Sequence, residues 1–124
     1  MKNYTSLEQG RKLAEILDIR TADATYERVV IAGANFNVSE EMQYELNTNI
    51  PFCLYGGIGV PAWSLAALLE EMNRNCYRVS FHNDNNLTWI IEYNDGKTYK
   101  YINKDNFIDA CYEMVILLHK QNLL

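Results

Sequence analysis

Long hydrophobic runs are missing from this 124-residue chain. None approaches the ~20 consecutive apolar residues of a membrane-spanning helix; the longest are Trp63 to Leu69, broken only by Ser64, and Met114 to Leu118. Proline occurs twice and glycine six times, which excludes collagen-like and Pro/Gly-rich linker chains. Cysteine is scarce and odd in number (Cys53, Cys76, Cys111), so no disulfide framework is expected and free thiols suit a reducing compartment. Positive charge is in deficit, with 11 basic against 16 acidic residues and a net charge of −5, which argues against a basic nucleic-acid binder. The first residues, Met1 to Ser6, lead into a mixed polar segment without an apolar signal region. These features predict one domain over residues 1–124, in the cytoplasm and with no membrane partner.

What is present is a hydrophobic content of 48%, enough for a core, together with nine tyrosines and fourteen asparagines. The asparagines gather in pairs where chains turn, as at Asn47 and Asn49 or Asn85 and Asn86, which fits their habit of bonding nearby backbone. Charge is uneven. Residues 29–74 hold five acids (Glu40, Glu41, Glu45, Glu70, Glu71) against Arg74, so this block carries most of the negative charge.

A first helix is signalled where Thr5 with Glu8, or Ser6 with Gln9, can form a capping box. Leu7, Leu13, Ala14, Ile16 and Leu17 then make an apolar stripe to about Asp18, interrupted by Gly10, which weakens a helix unless another element packs closely there. Arg28 to Ala32 reads as a short strand ended by Gly33. Met42 to Leu46 reads as another strand, with a helix from Ser39 as its competitor. Pro61 is expected to open a helix whose face is Ala62, Leu65, Ala66, Leu69 and Met72.

From Cys76 the period changes to two. A three-residue loop Asn94-Asp95-Gly96 with left-handed Gly96 sets Ile91 against Tyr99 and Trp89 against Tyr101; a two-residue Asp95-Gly96 turn would set Ile91 against Lys100. A loop over His82 to Asn86 sets Phe81 against Leu87 and Val79 against Trp89. The first choice of each gathers Tyr77, Val79, Phe81, Leu87, Trp89, Ile91, Tyr99 and Tyr101 on one face. Asp105 can then cap a helix carrying Phe107, Ile108, Cys111, Met114, Val115 and Leu118, which ends near His119 and Lys120 with Leu123 and Leu124 packed beyond it. The fold class that follows is α+β: an antiparallel three-stranded, or slightly larger, meander sheet with helices packed on one face.

Chemistry is thinly signalled. The cysteines and His82 and His119 contain no CxxC, HxxxH or HExxH spacing, so no metal site and no cofactor are expected. Ser64 lacks a nucleophile-elbow pattern and is better read as bonding an early helical N–H. Gly56-Gly57-Ile58-Gly59 reads as a connector, not a phosphate cradle, and Glu40-Glu41 and Glu70-Glu71 are neighbours that point apart on a helix. No catalytic residue is assigned. Tyrosines need a partner for every buried hydroxyl, so some must reach the surface, and an aromatic, acidic surface suits a protein interface. The candidate interaction or pocket residues are Trp63, Trp89, Tyr99 and Tyr101.

Pro61-Ala62-Trp63-Ser64-Leu65-Ala66-Ala67-Leu68-Leu69 and Asp109-Ala110-Cys111-Tyr112-Glu113-Met114, with Ser6-Leu7-Glu8-Gln9, Lys12-Leu13-Ala14 and the closing Leu118 to Leu124, carry a resemblance. The chain resembles small uncharacterised proteins of gut Bacteroidales genomes, their phages and mobile elements, departing from them mainly in residues 28–60. That resemblance implies an accessory role in a phage or mobile element and transfers no activity, cofactor or site residue. The function expected is a small non-enzymatic cytosolic protein that binds a protein partner or itself. The alternative is a small-molecule or enzymatic pocket between the sheet and the 28–60 segment.

Overall fold

The computed structural model describes residues 3–29, 43–75, 79–83 and 88–123. The chain divides into two compact units, one of Ser6–Trp63 and one of Ser64–Leu124 with Met1–Thr5. Among the described residues they hold three helices and two antiparallel three-stranded sheets, an α+β fold.

The first unit begins with α1 (Leu7–Leu13). Of the two capping boxes, Ser6 with Gln9 forms: the Ser6 hydroxyl accepts from Gln9 N–H, and Gln9 Oε1 accepts from Ser6 N–H. The helix stops at Leu13, short of Asp18, and tight turns carry the chain to buried Leu17. Asp18 then caps a 3-10 turn over Ile19–Thr21, its carboxylate taking the Arg20 N–H and guanidinium.

Three strands follow: β1 (Ala24–Arg28), β2 (Tyr44–Asn47) and β3 (Gly59–Ala62), in the order β2-β1-β3. Strand β1 ends at Arg28, where another strand was expected to begin; residues 30–32 of that expected strand, like Met42 and the competing helix start at Ser39, lie outside the described residues. The second expected strand is present as β2. Pro61 opens no helix. It lies in β3 opposite Thr25 of β1, and β3 is an edge strand, where a residue without an N–H breaks no ladder. Gly10 of α1 packs against this strand so closely that a Cβ there would run into the Pro61 carbonyl oxygen, with Val60 beside it. The Gly10 interruption is therefore a contact requirement.

In the second unit α2 (Leu65–Asn75) starts three residues after the strand, with the Ser64 hydroxyl accepting from Ala67 N–H. Starting there changes its inward face to Leu68, Glu71 and Met72, while Ala66 is exposed. The meander is β4 (Val79–Asn83), β5 (Trp89–Asn94) and β6 (Tyr99–Lys104), and α3 (Phe107–Lys120) packs on β5, β6 and α2.

The β4–β5 pairing sets Phe81 against Ile91 and Val79 against Tyr93. This differs from the expected register by an even number, so the faces survive; His82 and Asn83 belong to β4, and Tyr77 and Leu87 lie outside the described residues. The β5–β6 pairing sets Ile91 against Ile102 and Glu92 against Tyr101, an odd slip, so Tyr99 and Tyr101 move to the opposite face. The cause is a longer loop. Asp95 Oδ1 accepts from Lys97 N–H and Thr98 N–H at 2.8 and 2.6 Å, and Tyr93 Oη donates to Asp95 Oδ2 at 2.9 Å. Gly96 does take the left-handed conformation, with φ 88°.

The last helix is capped one residue later than expected. Asn106, not Asp105, takes the cap: its backbone is extended, and its Oδ1 accepts from Ile108 and Asp109 N–H. Of the expected stripe, Ile108, Cys111, Met114, Val115 and Leu118 are buried and Phe107 is half-buried; Ala110 is buried as well. At the far end Asn122 has φ 57°, with Asn122 N–H bonded to His119 and Leu123 N–H to Leu118, a Schellman closure. Leu123 is half-buried; Leu124 lies outside the described residues.

Two outcomes follow. Gly10→Ala raises helix propensity yet lowers stability by about 1–3 kcal/mol through overpacking against β3, measurable by chemical denaturation. The three hydrogen bonds hold the Asp95 carboxyl below its ordinary value, Thr98 N–H first and Lys97 N–H next. A lowered folded pKa means stabilisation that is present above the unfolded value of about 3.9 and lost as pH falls through the folded one. Melting curves from neutral to acid pH will show Asp95→Ala less stable at neutrality, with the difference closing below that window.

Candidate functional site

The four residues singled out by sequence are placed on different surfaces. Trp63 is fully buried in the first unit, and its Nε1 donates to Thr21 Oγ1 at 2.9 Å, so its ring is core with a satisfied polar tip. Trp89 is half-buried on the covered face of the meander, where it stacks on Phe107 with ring centroids 4.5 Å apart. Phe81 meets the same Phe107 ring at 4.8 Å, tilted by 45°. Tyr99 and Tyr101 lie on the other face, 54% and 59% exposed. The register brings these two tyrosines together and separates them from Trp89.

The tyrosine surface is a strip along β6, an edge strand of its sheet. Glu92 of β5 stands directly opposite Tyr101 and near enough to act on the Tyr99 phenol. Partial desolvation and then the Glu92 charge raise the Tyr99 phenol above its ordinary value. It stays protonated at neutral pH and can donate. On the covered side of the same strand sit Lys100, Ile102 and Lys104, opposite Tyr93, Ile91 and Trp89. Inward-facing lysines on an edge strand disfavour ladder extension by another chain. Contact through this region is therefore better made by the tyrosine face than by the strand edge.

On the covered face, at the first turn of α3, is an open cleft of about 350 Å³. Trp89 and Phe107 supply aromatic walls, and Leu65 and Ile108 supply aliphatic ones. Its polar groups are Asn3, Asp105 and Asn106, of which Asn106 already spends its side-chain oxygen on the helix cap. Sequence reading found Trp89 but treated Phe107 as a core position only. The missed signal was the two-residue connection from Lys104 to Phe107, which brings the first turn of α3 back onto the end of β5. In the first unit a smaller hollow of about 230 Å³ is lined by Ser6, Leu7, Tyr26 and Tyr44, with the Arg11 guanidinium 5.6 Å above the Tyr44 ring.

Ser64 and Cys111 both serve the fold. Ser64 caps α2, and Cys111 is buried, its thiol pushed up to about 12 by desolvation. Glu71 is buried while its neighbour Glu70 is exposed, so the pair does point apart; Glu40 and Glu41 lie outside the described residues. The glycines at 56 and 57 lead into β3, which keeps them away from any helix N-terminus. Among the described residues no group of three or more His, Cys, Asp or Glu is arranged to hold a metal ion. No helix among them is long and apolar enough to cross a membrane.

Comparison with known proteins gave no matching family model, no matching curated protein and no matching solved structure.

Thiol reactivity gives a direct check on this geometry. In a Cys76→Ala background, exposed Cys53 will react with an aromatic disulfide reagent in the native state, and Cys111 only after denaturation. Two native-state equivalents would contradict the burial of Cys111.

Proposed function

We propose that the protein is a small non-enzymatic interaction protein of the cytoplasm, binding a protein partner or a second copy of itself through the outer face of the β4–β6 sheet. The observation that carries this reading is the side-by-side exposure of Tyr99 and Tyr101 on that face. Tyrosine offers a large, stiff apolar ring with a hydroxyl at its tip, which is why it is enriched where proteins meet. Glu92 beside the rings gives the strip an acidic flank and suits a partner presenting a donor or a cation. Structural employment of Ser64 and Cys111 supports the non-enzymatic part of the reading. The resemblance to small proteins of Bacteroidales phages and mobile elements supports an accessory role.

The test is the double substitution Tyr99→Ser and Tyr101→Ser. Both side chains are largely exposed, so melting temperature will barely change. Self-association by light scattering across concentration, or reproducible capture of a partner from bacterial lysate, will weaken about tenfold or more, as loss of aromatic hot spots does. A wild-type protein that is strictly monomeric and captures no reproducible partner overturns the proposal.

A further inference from the structure

The cleft at the start of α3 is separate from the tyrosine strip, because Trp89 and the two tyrosines project from opposite faces of one sheet. Its volume, about 350 Å³, lies at the small end of the range for ligand sites. Space of that size accepts a single ring with a short arm. The Trp89 ring is half-buried and packed on Phe107, so it lines the cleft with a flat wall whose position is already held. Leu65 and Ile108 make the remaining walls apolar, which favours a ring over a sugar or a phosphate.

Charge decides what the arm carries. Asp105 lines the cleft and is itself exposed, so its carboxylate stands at the mouth. The Asn106 side chain already caps the Ile108 and Asp109 N–H groups, which removes two donors an anion would need. Lys104, opposite Trp89 at the end of β6, is the one described cation next to the site in sequence and register. It is exposed and does not line the cleft. The local balance favours a cation, and a ring carrying one can also lay it against the Trp89 face.

We propose that this cleft binds a small aromatic amine, its ring held between Trp89 and the Leu65–Ile108 wall and its ammonium beside Asp105. The proposal is independent of the tyrosine-face reading, and either can fail alone.

Trp89 is its own reporter, since the other tryptophan is fully buried in the other unit. Phenethylamine, which does not absorb at tryptophan excitation wavelengths, is titrated into the full chain while tryptophan emission is followed. 3-Phenylpropionate serves as the probe of opposite charge. The expected result is a saturable emission change with phenethylamine in the millimolar range and a weaker or absent one with 3-phenylpropionate. Asp105→Asn should weaken phenethylamine binding about three- to fivefold, the scale of one exposed charge pair, and leave 3-phenylpropionate no weaker. Trp89→Phe should remove the emission change, and saturation-transfer NMR on the same variant shows whether the ring still binds. Absence of saturable binding overturns the proposal. So do equal or tighter binding of 3-phenylpropionate and an Asp105→Asn variant that binds phenethylamine unchanged.

Discussion

One carboxylate decides which side of β6 is wet. Asp95 gathers the Lys97 and Thr98 N–H groups on one oxygen and the Tyr93 hydroxyl on the other, closing the β5–β6 loop around itself. Tyr93 is buried, so the loop is tied to the core as well as to its own backbone. The loop formed this way pairs Tyr93 with Lys100, not with Lys97, and an odd slip exchanges the faces of the whole strand. Ile102 is thereby turned toward α3 and both tyrosines toward solvent. The strip and the aromatic cleft are separate surfaces because of that parity.

The second constraint is the short return from β6 into α3. Only Asp105 and Asn106 connect Lys104 with Phe107, so the helix must begin beside the last residues of the sheet. Asn106 takes the extended conformation and caps, Phe107 drops onto Trp89, and Ile108 enters the core. Two rings stacked at the sheet end leave a ledge that neither α2 nor α3 fills, since α2 starts only at Leu65 with Ser64 as its cap. Protein interiors seldom leave such spaces unfilled within the core, and this one is open to solvent. The Schellman closure at Asn122 then folds Leu123 back at the other end of α3, so the helix is capped by a side chain at its start and by backbone hydrogen bonds at its end.

Legibility followed how local each cause was. The period-two stretch and the α3 stripe could be read because each pattern lies within its own segment. The capping pair at Ser6 and Gln9 and left-handed Gly96 were also local. The register of β6 was not, because periodicity counts residues and cannot see that Asp95 will bond two N–H groups ahead of it. Pro61 was misread for a longer-range reason. Its partner strand lies more than thirty residues earlier, and only that pairing makes an edge position for a proline. Asp105 and Asn106 are both good caps, and which of them takes the role depends on which is extended as the chain leaves β6. At the candidate site, Trp89 could be noticed by type. Trp63 could be noticed too, but its hydrogen bond to Thr21 spans 42 residues, and that contact is what makes it core.

The central strand shows why the two surfaces can serve different partners. Along β5, Trp89, Ile91 and Tyr93 face α3, while Ile90 and Glu92 face outward with the tyrosines. Each outward residue has two inward neighbours, so a ligand on one face meets none of the side chains on the other. Coupling between the faces would have to pass through the backbone of β5, which is hydrogen-bonded on both edges and has little freedom to shift. Substitutions more than about 7–10 Å apart with no shared partner act additively. Tyr101 and Trp89, three ladder positions apart and on opposite faces, meet the second condition. A sheet with helices packed on one face can therefore keep the proposed small-molecule slot and the proposed protein-binding strip apart, provided that Asp95 holds the register that separates them.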